Sequence, residues 1–123
     1  MQKRRVLICG GRDYNDAHSM YEVIMELPAK LGVLLDEITI VHGAAKGADT
    51  LAEKIAMHLN IKTEKHPAKW HIYGKKAGPI RNQEMLDSGI DFVVAFPGGR
   101  GTEDTIHRAT NMNIPIWIVN FPE

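Results

Sequence analysis

Arg5-Val-Leu-Ile-Cys-Gly-Gly11 is an unbroken apolar run of β-forming residues that stops at a glycine pair. A run without polar alternation suits a strand buried on both faces, as in a parallel sheet. Just beyond it, Asp16 is placed to cap a helix whose apolar positions Met20, Val23, Ile24, Leu27 and Leu31 repeat at the helical period. Pro28 interrupts that stripe and predicts a kink or an early end. Ile38-Thr-Ile-Val41 reads as a second strand stopped at His42-Gly43, and Ala48, Leu51, Ala52, Ile55, Ala56 and Leu59 form the stripe of a second helix. Ile61 to His66 alternates apolar and polar residues and predicts a strand near a sheet edge, followed by a loop from Pro67 to Lys76. Gly78-Pro79 opens a third helix, which Gly89 closes. Phe92 to Phe96 is a fourth strand, Gly101 to about Asn111 a fourth helix, and Ile114 to Val119 a fifth strand.

This alternation predicts βαβ units with right-handed crossovers. The expected fold is α/β: a Rossmann-like three-layer sandwich of about five parallel strands, order 3-2-1-4-5, with helices on both faces. Residues 1–123 are expected to form a single domain. Fifteen basic and fifteen acidic side chains cancel, which removes the footprint of a general nucleic-acid binder and disfavours nucleic acid as a partner. A compact anion site remains compatible with that balance. A single cysteine, Cys9, excludes an internal disulfide and suits a reducing, cytoplasmic setting. No stretch approaches the roughly 18–20 apolar residues of a membrane span, so no membrane partner is expected. Val6 to Cys9 is also too short for the core of a signal peptide.

The glycines carry the functional signal. Gly10-Gly11 follows strand one, Gly43 and Gly47 follow strand two, and Gly98, Gly99 and Gly101 follow strand four. In an open parallel sheet these points share the rim where ligands bind. Glycine there admits close backbone approach, and the N–H groups that open each following helix favour an anion. Pro97-Gly-Gly-Arg-Gly-Thr102 is the most specific of these stretches and reads as a phosphate cradle, with Thr102 as the natural cap of the next helix. Arg12 with Asp13, and Arg81 with Asn82, stand beside the rim. A guanidinium forks onto phosphate, while Asp or Asn holds ribose hydroxyls or an amide edge; salt bridging and turn capping are the ordinary alternatives. Asp49 reads either ribose or caps the second helix, and Trp70 either stacks on a base or packs against its own domain.

Several chemistries are set aside. GGRDYN after strand one is not GxGxxG, and GAAKGADT after strand two fails the P-loop spacing, so dehydrogenase, kinase and ATPase readings fall away. The six histidines show no metal spacing, so neither a metal nor a cofactor is implied, and His42 and His66 are expected to make ordinary hydrogen bonds. Cys9 reads as a small buried apolar residue.

Taken together, GGRDYND, HGAAKGADTLAE, the Trp70 loop, AGPIRNQEML and VVAFPGGRGTED resemble the YspA-type, YpsA-related branch of the SLOG superfamily, named for the Smf/DprA and LOG proteins. The resemblance runs through nearly the whole chain in order. It implies a domain that binds nucleotides or nucleotide-derived small molecules, among relatives that include phosphoribohydrolases, DNA-uptake proteins and sensors of ADP-ribose-type signals. Such relatives often pair, so a homo-oligomer, dimer or higher, is expected. Their PGGxGT loop maps onto Pro97, Gly98, Gly99, Gly101 and Thr102. The hydrolases continue it to a catalytic glutamate, and that position here is Thr105. Glu103 and Asp104 are close, but a helix turns about 100° per residue, so they are expected to point elsewhere. The leading expectation is therefore a sensor or sequestering module for a phosphate-bearing ligand, ADP-ribose-like or a nucleoside monophosphate. The alternatives are cleavage of a nucleotide's N-glycosidic bond, with Asp13, Asp49, Glu84 and Asp104 as candidate carboxylates, and single-stranded DNA binding.

Overall fold

A computed structural model describes residues 3–119. Five parallel strands form one sheet: β1 (Arg4–Cys9), β2 (Ile38–His42), β3 (Lys62–Lys65), β4 (Phe92–Ala95) and β5 (Ile116–Ile118). Their order is β3-β2-β1-β4-β5, the expected one, which the alternation alone does not fix. Five helices connect them: α1 (Ala17–Leu31), α2 (Ala48–His58), the single turn α3 (Trp70–Tyr73), α4 (Ala77–Asp87) and α5 (Arg100–Asn111).

The central strands are apolar on both faces because both faces are covered. Val6, Ile8, Ile38, Ile40 and Val94 pack with Met20, Ile24 and Leu27 of α1 and Ala52 and Ala56 of α2. Leu7, Cys9, Val41, Val93 and Ala95 pack on the other face with Met85 and Leu86 of α4 and Ala109 of α5. Each fully buried Leu or Ile stabilises the domain by about 1.5–3 kcal/mol relative to exposure. Short β3 lies at the edge and buries none of its residues completely, which explains its weak pattern.

Local expectations are met and corrected in turn. Asp16 caps α1, accepting from the Ser19 N–H at 3.1 Å and from its hydroxyl at 2.7 Å. Pro28 does not end α1, which continues to Leu31 and stops at Gly32 in the left-handed region, φ 68°. Proline there forfeits its N–H bond and crowds the carbonyl of Ile24, but the buried stripe Met20, Val23, Ile24 and Leu27 carries the helix past it. The segment expected to be a loop before α4 instead contains α3 and a 3-10 turn, Gly74–Lys76. Thr102 is not the cap of α5, which begins at Arg100 with Gly99 in the cap position. Thr102 is buried inside the first turn.

Candidate functional site

β2 and β3 lie to one side of β1, and β4 and β5 to the other, so the strand order switches between β1 and β4. Connections leave that point in opposite directions and open a crevice at the carboxyl ends of the strands. A cavity of about 620 Å³ occupies it, large enough for a nucleotide-sized ligand. Gly10, Gly11, Gly43, Gly99 and Gly101 line it, so the three glycine clusters do converge on one rim.

The glycines serve two different ends. Gly11 donates its N–H to the Pro97 carbonyl at 2.9 Å, and its own carbonyl accepts from Ala48 N–H at 3.1 Å. Those bonds draw the loops after β1 and β4 and the start of α2 together, and the rings of Tyr14 and Phe96, 5.2 Å apart, close the same seam. Gly47 and Gly98 belong to this stitching and do not line the cavity; nor does Pro97. A Cβ on Gly98 would meet the Thr102 hydroxyl and lie 2.6 Å from the Gly11 nitrogen. Gly47, at φ 80°, abuts the Gly11 carbonyl. Gly99 and Gly101 differ, because a Cβ on either would meet nothing within 4 Å. They leave open room beside the first turn of α5.

The charged residues sort as clearly. Arg12 lines the cavity, whereas Asp13 is exposed and outside it. Arg81 reaches in from α4, but much of its guanidinium already serves the protein. Nη1 donates to the Gly43 carbonyl at 2.5 Å and to that of His66 at 3.3 Å, and Nε donates to Asn82 Oδ1 at 2.9 Å. Only Nη2 is without a hydrogen bond among the described residues. Burial lowers the pKa of Arg81, Asp49 opposes that shift, and the nearby charge of Arg12 adds to it. Arg81 thus carries its charge in a partly dry space beside a second cation, and an incoming anion would offset that cost.

Asp49 is buried and accepts at Oδ2 from the N–H groups of Gly43 and Ala45, each at 3.1 Å. Burial raises its pKa against those bonds and the charges of His42 and Arg81. It shapes the loop after β2 without capping α2, and it lines the cavity as well. His42 holds the same loop, with Nε2 2.7 Å from Glu53 and Nδ1 accepting from Ala44 N–H at 3.0 Å. That pairing places its proton on Nε2, the ordinary hydrogen-bonding role expected.

Trp70 is half exposed and lines the cavity from α3, with its ring 3.4 Å from where a Gly78 Cβ would lie. Cys9 lines the cavity too, but burial, then the charge of Asp49, pushes its thiol up to about 12. It is inert as a nucleophile at neutral pH. Among the described residues no cluster of ligating side chains could hold a metal. No helix among them is long and apolar enough to cross a membrane.

One charged lining residue escaped the sequence reading, and one that it named lies where it was not expected. Arg100 lies inside the glycine motif itself, where the glycines drew attention away from it. Asp104 and Thr105 both line the cavity, against the expectation that Asp104 points elsewhere. Asp104 Oδ2 accepts from Asn82 Nδ2 at 3.0 Å and from Arg108 Nε at 2.8 Å. The Thr105 hydroxyl donates to the Gly101 carbonyl at 3.2 Å. Of the four candidate carboxylates only Asp49 and Asp104 reach the cavity, since Glu84 and Asp13 are exposed elsewhere.

Known proteins fit this arrangement. The chain is 37% identical over 125 residues to the Gene 61 protein of Mycobacterium phage D29, covering 96% of each. Its fold matches DNA processing protein A (DprA) from Streptococcus pneumoniae with a TM-score of 0.76 at 21% identity, covering 98% of this chain and 51% of DprA. The chain therefore spans about half the length of that protein. The structure of TM1055 matches with a TM-score of 0.65 at 16% identity, covering 94% of this chain and 72% of the other. The DprA match corrects the expectation that nucleic acid is disfavoured as a partner. A fold shared with a DNA processing protein cannot be set apart from nucleic acid by a net charge of zero, which sums over the chain and hides local surfaces. The model of the YAcAr family (YspA, cpYpsA-related SLOG) matches residues 4–73, more than half of the chain, and the chain belongs to that family.

Proposed function

We propose that the strand-end cavity binds a phosphate-bearing nucleotide or nucleotide-derived ligand, with the phosphate beside Gly99 and Gly101 and the base toward Trp70. One observation carries this reading: Arg12 and Arg81 crowd a cavity whose glycine wall at the start of α5 is left open. Backbone N–H groups at a helix start and two neighbouring guanidinium groups, one of them partly buried, favour an anion of phosphate size. Arg100, on the same first turn, adds a third guanidinium. Calorimetry with nucleoside 5′-monophosphates and ADP-ribose tests it. Saturable heat that disappears in Gly99→Asp is expected, and no heat from any of these compounds overturns the reading.

A second reading, cleavage of the N-glycosidic bond, is favoured over mere sequestering by the position of Asp104. Its Oδ1 has no hydrogen-bond partner among the described residues, while Oδ2 is fixed by Asn82 and Arg108. A carboxylate so held supports positive charge developing on a sugar as the C1′–N bond breaks. Water then adds to C1′, and the base leaves with a proton. Chromatography of nucleoside monophosphates after long incubation should reveal free base. Asp104→Asn should abolish its release while leaving binding in place. Binding with no release by the unmodified chain leaves the sequestering role standing alone.

A further inference from the structure

Among the described residues, three that carry a side chain stand in the left-handed backbone region: Asn60, Asn113 and Ala44. Asparagine tolerates that region, whereas alanine at φ 56° is strained there. Ala44 is exposed, but its neighbours Gly43 and Ala45 both line the cavity, so the strain sits in the wall of the site. Such a conformation persists where surrounding bonds over-determine it. The N–H groups of three successive residues turn inward onto side chains. Gly43 and Ala45 donate to Asp49 Oδ2, each at 3.1 Å, and Ala44 between them donates to His42 Nδ1 at 3.0 Å. On the opposite side the Gly43 carbonyl accepts from Arg81 Nη1, and a Cβ on Gly43 would collide with that guanidinium. The shape of the turn therefore sets where Arg81 and Asp49 stand.

His42 is 1% exposed and is fixed at both ring nitrogens. Its Nε2 lies 2.7 Å from Glu53 of α2, whose other oxygen accepts from the Thr63 hydroxyl of β3 at 3.2 Å. A neutral ring that donates at Nε2 accepts at Nδ1, and that tautomer alone suits the Ala44 N–H. A proton on Nδ1 would set one N–H against another and remove the acceptor from the strained residue. The charged groups around the ring are Glu53 and Asp49 from α2, with Lys65 of β3 and Arg81 of α4 acting on those two carboxylates. His66, just past β3, meets His42 through its backbone N–H, 2.9 Å from the His42 carbonyl, and its ring lies 3.9 Å from Glu64. We infer that His42 is a positioning residue of the cavity: its neutral Nδ1 holds the 43–45 turn that stations Arg81 and Asp49, and a second proton on the ring releases the turn and weakens anion binding. The effect on affinity rests on the anion reading of the cavity; the state of the turn does not.

Calorimetry with adenosine 5′-monophosphate tests this on two variants that each keep the role of one ring nitrogen. His42→Asn keeps an acceptor where Nδ1 stands and loses the donor to Glu53, whereas His42→Gln keeps the donor and loses the acceptor. His42→Asn should bind within about threefold of the parent, and His42→Gln about tenfold more weakly. Thermal melts should rank the two the other way, because His42→Asn leaves Glu53 without its ring partner. A histidine that merely supports the fold gives one ranking for both. Ala44→Gly, which suits a positive φ, should bring His42→Gln back to within about threefold of the parent. Ala44→Val, at an exposed position, should weaken the parent by about tenfold even if the buried His42 variants fold poorly. From about pH 8 to about pH 5 the parent should lose at least about threefold more affinity than His42→Asn, a difference in which the ligand phosphate and every shared group cancel. Binding like the parent by His42→Gln or by Ala44→Val overturns the inference, and so do matching pH profiles. If the parent gives no heat with adenosine 5′-monophosphate at any pH, the cavity reading falls and hydrogen exchange decides the turn by itself. The Ala44 N–H should then be about tenfold less protected in His42→Gln than in the parent and His42→Asn, and equal protection in all three overturns the inference.

Discussion

Gly98 and Gly99 are neighbours in one motif, yet substitution should break different things. A Cβ at Gly98 meets the Thr102 hydroxyl and lies 2.6 Å from the Gly11 nitrogen and 3.0 Å from the Gly10 carbonyl carbon. Two of those three atoms are backbone, so no rotamer change relieves the contact. The β1 and β4 loops must separate, which strains or breaks the 2.9 Å bond from Gly11 N–H to the Pro97 carbonyl. Overpacking costs about 1–3 kcal/mol, and the lost hydrogen bond about 1 kcal/mol more. For a domain of this size 1 kcal/mol moves Tm by about 4 °C, so Gly98→Ala should melt about 8–16 °C below the parent. Gly99 meets nothing within 4 Å, and Gly99→Asp should therefore keep Tm within about 2 °C. It should still abolish ligand binding, because it puts a negative charge where the phosphate belongs. Differential scanning calorimetry reads the first effect and isothermal titration the second. A Gly98→Ala protein that melts with the parent would refute the close-approach argument. A Gly99→Asp protein that binds normally would take the cradle out of the site.

The remaining predictions concern single groups. Arg81→Ala should weaken ligand binding by about 1.5–3 kcal/mol, and it should also lower Tm, because the carbonyls of Gly43 and His66 lose their donor; unchanged affinity would leave Arg81 a purely structural clamp. The hydrogen bond from Arg5 holds the pKa of Glu64 below the usual carboxylate value; burial opposes it, and the charges of Arg5 and His66 add to it. A depressed folded pKa means that the pair stabilises the protein above the unfolded pKa and that this is lost as pH falls through the folded one. Glu64→Gln should thus be less stable than the parent at pH 7, by at most about 1 kcal/mol for so exposed a pair, and the gap should close in acid. Urea melts at both pH values decide it, and a gap that persists below the folded pKa contradicts the assignment. Cys9, with its thiol pushed up to about 12, should resist a disulfide reagent at pH 8 until denaturant is added. Prompt labelling of the native protein would contradict its burial.

The central strands are legible because burial on both faces leaves no polar residue in Val6–Cys9 of β1 or anywhere in β4. What escapes is decided by contacts across the chain. α3 has no apolar stripe to betray it, since it packs none of its side chains inward. Thr102 carries the chemistry of a cap, but Gly99 takes that position and Thr102 is drawn under the Gly98 backbone instead. Arg81 looks like a phosphate fork in isolation; its bonds to the loops after β2 and β3 exist only once the sheet has assembled. Gly47 and Gly98 resemble the other rim glycines in the sequence, and only the approach of Gly11 to each separates stitching from lining.

The missing glutamate at position 105 carries less weight than the motif alone suggests. From Gly101, three residues on turns the helix through about 300° and four residues through about 400°. Asp104 and Thr105 therefore project about 60° to one side and about 40° to the other of the Gly101 direction. Gly101 itself has no side chain, so the cavity widens there and reaches both neighbours, and both line it. A carboxylate displaced by one position thus remains inside the site, although it meets the ligand from a different side. Asn82 and Arg108 hold it there, and neither bond is available to residue 105, whose hydroxyl turns back to the Gly101 carbonyl. Thr105→Glu would consequently place a second negative charge beside an existing one, within reach of the same sugar. If Asp104 already serves the chemistry, that variant should slow base release through repulsion of the ligand's phosphate and of Asp104. If it raises release instead, the position at 105 is the one that matters and Asp104 is only a brace for α4 against α5.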